Sequence, residues 1–137
     1  MRVITLLLLI SIVALSLLSA CTRCSELREY RNVIRELEIE DVDITTIPDG
    51  TYSGFADAGL VSALVAVTVK SGKIEEIELI EHQHGRGSEA EIISENVVQA
   101  QSLDVEYISG ATSSSKIILK AIERALVNQK PYKPKRR

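Results

Sequence analysis

Apolar residues fall into two interleaved helical rows near the C-terminal end of the chain. Ile117, Ala121 and Ala125 form one row, and Ile118, Ile122 and Leu126 form the other. Recurrence at every fourth position on two adjacent rows makes one wide stripe of an amphipathic helix. Lys116, Lys120, Glu123 and Arg124 fall off that stripe and read as its solvated face. Upstream the pattern changes period. Ala63 to Lys70 is apolar at nearly every position, as in a buried central strand. Ser71-Gly72 follows as a two-residue hairpin turn, and Lys73 to Glu81 returns with Glu76 and Glu78 alternating against Ile77 and Leu79, one face wet. Before this hairpin, Pro48-Asp49-Gly50 signals a turn into the strand-like Gly50 to Phe55. After it, Ser88-x-x-Glu91 reads as a capping box opening a helix through about Gln101, with Ala90, Ile93, Val97 and Ala100 as a narrow stripe. Val105 to Ile108 is a short extended segment, and Tyr107 within it is expected in the core. The predicted fold is α+β: an antiparallel sheet of three or four strands covered by helices near 89–101 and 113–127.

The ends of the chain are of a different kind. Arg2 precedes an apolar run from Val3 to Leu18, short for a spanning helix and well formed for a secretory signal. It closes in Leu18-Ser19-Ala20-Cys21, which resembles the lipobox of bacterial lipoproteins. That resemblance implies cleavage before Cys21, lipid attachment to it, and an extracytoplasmic domain tethered to a bacterial membrane. Cys21-Thr22-Arg23-Cys24 also has the spacing of a redox dithiol, but no strand precedes it and lipidation would consume Cys21. Leu27, Tyr30, Ile34 and Leu37 then mark a short amphipathic helix from Ser25 to about Glu38. Three roles suit it: a stand-off from the membrane, a partner contact, or packing on the domain. The expected organisation is a signal peptide at 1–20, a helical stalk and linker at 21–46, a compact domain at 47–128, and a basic, proline-containing tail at 129–137 read as disordered.

Charge narrows the partners. The chain carries a net charge of −3, and removal of residues 1–20 takes away only Arg2 among its ionisable side chains, so acids stay in excess. Nucleic acid is not an expected partner at that balance. Neither a P-loop nor a dinucleotide fingerprint is present, and nothing specific supports a hydrolytic triad. His82-Gln83-His84 offers two metal-ligand side chains, but with no third His and no suitable Cys the ligand count argues for an exposed, glycine-loosened loop and no metal.

The candidate chemistry lies at Ser109-Gly110-Ala111-Thr112-Ser113-Ser114-Ser115, a turn of small residues that opens directly into the amphipathic helix. Thr112 or Ser113 is the expected N-cap. Free first-turn N–H groups, several hydroxyls and the positive end of the helix dipole together suit a phosphate.

At these residues the chain resembles the FMN-binding domain family, which includes the flavin-carrying subunits of sodium-pumping NADH:quinone reductase and its Rnf relatives. The family pattern D-x-x-[ST]-G-A-[ST] is met here by Glu106-Tyr107-Ile108-Ser109-Gly110-Ala111-Thr112, with Glu106 standing where the family mostly has Asp. The upstream order of Asp49-Gly50-Thr51-Tyr52, an apolar strand, and Gly72-Lys73-Ile74 is also how that family begins, so the resemblance covers most of the domain. It implies FMN as cofactor, joined through its phosphate to Thr112 by a separate flavin transferase. Ser109, Gly110 and Ala111 would shape the turn, Ser113 and Ser114 would donate to the phosphate, and Glu106 would be read by the transferase. Arg86 is a further candidate for the phosphate or the reduced ring. The implied role is an electron-transfer module between membrane-associated redox partners, with no catalytic acid or base of its own. An alternative from another class is a lipoprotein of the same fold that binds a ligand or serves structurally without flavin. The Glu106 departure and the scarcity of aromatic residues (one Phe, four Tyr, no Trp) favour that alternative.

Overall fold

The computed structural model describes residues 25–85 and 87–133. A helix α1 at 25–36 leads into the three-stranded antiparallel meander β1 (Gly50–Asp57), β2 (Ser62–Lys70) and β3 (Lys73–Gln83). The helices α2 (Ile93–Ala100) and α3 (Thr112–Asn128) follow. The expected α+β architecture is the observed one. The signal peptide, Cys21, Cys24, Arg86 and residues 134–137 lie outside the described residues.

The hairpin forms for a local reason. Ser71 and Gly72 both have positive φ, at 52° and 71°, which is what a two-residue turn needs to match the strand twist. Asp49 Oδ1 holds that turn by accepting from Ser71 N at 2.7 Å. Val65, Val67 and Val69 point from the central strand into the core, where both rows of the α3 stripe meet them fully buried. α3 lies on β1 and β2, and α2 lies on β3. The close approach of α3 to β1 depends on Gly54, where a Cβ would collide with Ala121 O and sit 2.6 Å from Ala125 N.

Four expectations are corrected. First, α3 is buried beyond its predicted stripe: Leu119 and Glu123 are covered as well. The segment leaving α1 lies over that second face. Lys116 Nζ donates to Ile34 O and Leu37 O at 3.0 and 3.2 Å, Lys120 Nζ donates to Glu38 O at 2.9 Å, and Glu40 N donates to Glu123 Oε2 at 3.2 Å. The buried Glu123 carboxylate is satisfied by Lys120 at 2.8 Å. Of the three roles open to α1, packing on the domain is the one seen.

Second, the predicted capping box does not form. Ser88–Ile92 is a 3-10 turn with Gly87 before it and no side-chain cap, and the α-helix proper starts at Ile93. Ala90, Ile93 and Val97 are buried as expected, while Ala100 at the helix end is exposed. Third, Tyr107 is 44% exposed instead of buried, with Lys116 Nζ 5.9 Å from its ring centroid. Fourth, part of the tail is ordered. Ser53 N donates to Lys130 O at 2.8 Å and Tyr132 N to Thr51 O at 2.9 Å, placing 130–132 along the free edge of β1.

Candidate functional site

The turn before α3 is set by two devices. Gly110 takes φ 80°, a backbone conformation that a residue with a Cβ reaches only at a cost. Ser115 then locks the turn from inside. Its buried Oγ donates to Ala111 O at 3.0 Å and accepts from Ile108 N at 3.1 Å. This bond satisfies a backbone donor just before the helix that would otherwise be stranded.

Thr112 is not the N-cap that the sequence suggests. Ala111 occupies the cap position with no side-chain cap bond, and Thr112 is the first residue of the helix. Its side chain is exposed. Because the cap carries no hydroxyl, the first-turn amides at Thr112, Ser113 and Ser114 are not consumed by a capping oxygen. Seventeen residues of aligned peptide dipoles stand behind them.

These groups line one wall of a cavity of about 570 Å³, bounded by Gly110, Ala111, Thr112, Ser113 and Ser114. Gly85 and Gly87 form another side, and Tyr30, Leu60 and Val61 contribute the apolar part. The volume is that of a site for a cofactor-sized molecule. Gly87 is pressed against Ser114, so that a Cβ there would overlap Ser114 Oγ and sit 2.8 Å from Ser114 Cβ. The floor between the loop and α3 is therefore backbone and hydroxyl, a polar cradle without bulky side chains.

Of the residues singled out from sequence, Gly110, Ala111, Thr112, Ser113 and Ser114 come together on this wall. Ser109 is exposed on the turn and is not part of the lining, and Glu106 is exposed on the segment leading to it. Sequence reasoning passed over Tyr30 and Leu60 as parts of the site. Tyr30 sits on the apolar row of α1, a pattern that marks a buried face without saying what it faces. Leu60 is 45% exposed beside the cavity, and an exposed leucine leaves no periodic signal. No helix among the described residues is long and apolar enough to cross a membrane.

Residues 58–127, from the β1–β2 loop to the end of α3, match the profile of the FMN-binding domain. An uncharacterized protein of Treponema pallidum (strain Nichols) is 33% identical over 86 residues. That stretch is 61% of this chain and 24% of the relative, so the likeness spans about a quarter of that protein. No solved structure matches the chain.

Proposed function

This chain belongs to the FMN-binding domain family, and on that premise we propose that it carries FMN covalently on Thr112 and works as an electron-transfer module at a membrane surface. The observation that carries the reading is the position of Thr112, an exposed hydroxyl at the head of α3 on the wall of the cavity.

The residues present suit FMN. The amides and hydroxyls of Ser113 and Ser114 would hold its phosphate against the positive end of α3. Tyr30 and Leu60 would offer the ring system a flat and an apolar surface, and the small residues Gly85, Gly87, Gly110 and Ala111 leave it room. When bound, the isoalloxazine supplies the redox chemistry, and the protein sets its orientation and access to solvent. Attachment needs a flavin transferase that provides the flavin phosphate in activated form. Thr112 Oγ forms the new bond to phosphorus, its proton leaves, and the bond from phosphorus to the donor's leaving group breaks. The net gain is FMN less one water. The resulting phosphodiester keeps one negative charge, placed where the helix dipole favours it. Glu106 lies exposed before the turn, open to a visiting transferase. Lipid attachment at Cys21 would confine the module to a membrane surface, where redox partners move in two dimensions.

The test is intact mass and in-gel flavin fluorescence of the full chain produced with an active flavin transferase, beside Thr112→Ala. The expected result is a fluorescent species heavier by FMN less one water, absent from the variant. An unmodified mass with flavin released on denaturation would replace covalent attachment by simple binding. A colourless protein would leave a lipoprotein that has kept the fold without the flavin.

A further inference from the structure

A second group of chemically capable side chains stands behind the glycine loop. His82 is the penultimate residue of β3, and His84 follows just beyond its end. Two-residue spacing in extended chain puts both rings on one side. Their centroids are 4.4 Å apart with planes inclined at 38°. Glu91, on the 3-10 turn Ser88–Ile92, reaches the same point. Its Oε1 lies 3.2 Å from His82 Nδ1 and 4.0 Å from His84 Nε2. The His82 side chain is only 3% exposed. The second nitrogen of each ring, His82 Nε2 and His84 Nδ1, is also buried and has no hydrogen-bond partner. The nitrogens nearest the carboxylate are the other two, His82 Nδ1 and His84 Nε2, and these are the candidate donors.

We infer that His82, His84 and Glu91 form a binding site for a divalent transition-metal ion of the zinc type. Two imidazoles and one carboxylate are a recurrent donor set for such an ion, with water completing a tetrahedron. One donor atom from each of the three residues lies within 4.8 Å of the others. Tetrahedral ligands at about 2.0–2.1 Å from zinc stand about 3.3 Å from one another. The His82–Glu91 pair already has that separation, whereas the His84 donor lies 4.0 Å from Glu91 Oε1 and within 4.8 Å of the His82 donor, so its ring must move inward on binding. The ligand count from sequence finds no third donor beside His82 and His84. The fold supplies Glu91 instead, released for the purpose because the capping box does not form.

Position gives the ion its consequence. It joins the end of β3 to the 3-10 turn on either side of the loop that carries Gly85 and Gly87, both of which line the cavity. Metal binding therefore fixes that wall, and it does so whether or not flavin is attached at Thr112.

The test uses the full chain without a histidine tag, purified in detergent, stripped with a chelator and dialysed against zinc chloride. Elemental analysis is expected to find one zinc per chain with micromolar or tighter affinity, and the thermal midpoint is expected to rise with zinc concentration. Glu91→Gln and His84→Ala alter partly exposed side chains and spare the buried His82. Each is expected to weaken zinc binding about tenfold or more. Binding below a tenth of an ion per chain at about 0.1 mM zinc would overturn the inference. Wild-type affinity in either variant would overturn it equally.

Discussion

Gly87 and Ser114 touch without room for a side chain between them: a Cβ on Gly87 would lie 2.8 Å from Ser114 Cβ and overlap its hydroxyl. The backbone of Gly87, at φ −104°, would tolerate alanine, so any effect of substitution there is steric. Gly87→Ala must push the loop away from α3 or turn Ser114 out of place. The expected outcome is a loss of about 1–3 kcal/mol in urea unfolding. Titration of apoprotein with FMN, followed by quenching of flavin fluorescence, should show weaker binding in the same variant.

Gly54 presents the harsher case, because the obstacle is main chain. A Cβ at this position meets the carbonyl of Ala121 and the amide of Ala125 inside the helix–sheet contact. Neither can swing aside as a side chain can. Gly54→Ala is expected to cost at least about 3 kcal/mol, the upper range for overpacking. Chemical denaturation would show this as a lower midpoint with an unchanged slope, or as failure to accumulate folded protein.

Two hydroxyls three residues apart should behave oppositely. Thr112 is exposed and first in its helix, so Thr112→Ala is expected to change stability by no more than about 0.5 kcal/mol while abolishing flavin attachment. Ser115 is fully buried and bridges Ile108 N to Ala111 O. Ser115→Ala leaves the Ile108 amide without its partner and should cost about 1–3 kcal/mol. Equilibrium unfolding of the two variants side by side reads the difference, and equal losses would contradict it.

Lys116 ties α1 to the domain through Ile34 O and Leu37 O, and its ammonium lies near the Tyr107 ring. A cation on the last carbonyls of a helix offsets both unsatisfied acceptors and the negative dipole end. Lys116→Met keeps most of the aliphatic stem and removes the charge. Hydrogen exchange in residues 25–36 is expected to quicken while exchange in β2 stays slow. Since Tyr30 is part of the cavity wall, FMN affinity should fall with it.

What could be read from the chain and what could not divide along a physical line. The α3 stripe and the Ser71-Gly72 turn are local patterns, and each appears where its residues say it should. Thr112 and its small neighbours were legible because a turn, a helix start and a family pattern coincide there. Glu91 was misread because a capping box is a bond within one turn, whereas His82, nine residues earlier on a strand, competes for the same carboxylate. Gln101 gave no signal for a similar reason. It ends α2 with φ 52°, and its side-chain amide exchanges two bonds with Ile74 on β3, accepting from N and donating to O, both at 2.8 Å. Glu123 looked solvated because the helical period cannot report that a preceding segment will lie over the second face. Such contacts join positions far apart in the chain, and no periodicity records them.

The short pairing of 130–132 along β1 has a further meaning for how the molecule keeps to itself. An uncovered outer strand offers another chain a ladder to join. Here Lys130 O and Tyr132 N occupy the exposed groups of Ser53 and Thr51, and Pro131 between them has no N–H to extend the ladder outward. The sheet is thus terminated on that side by a cap that cannot itself template growth. On the proposed lipid anchorage, which would hold copies at high local density, an edge that refuses its neighbours would keep them from pairing.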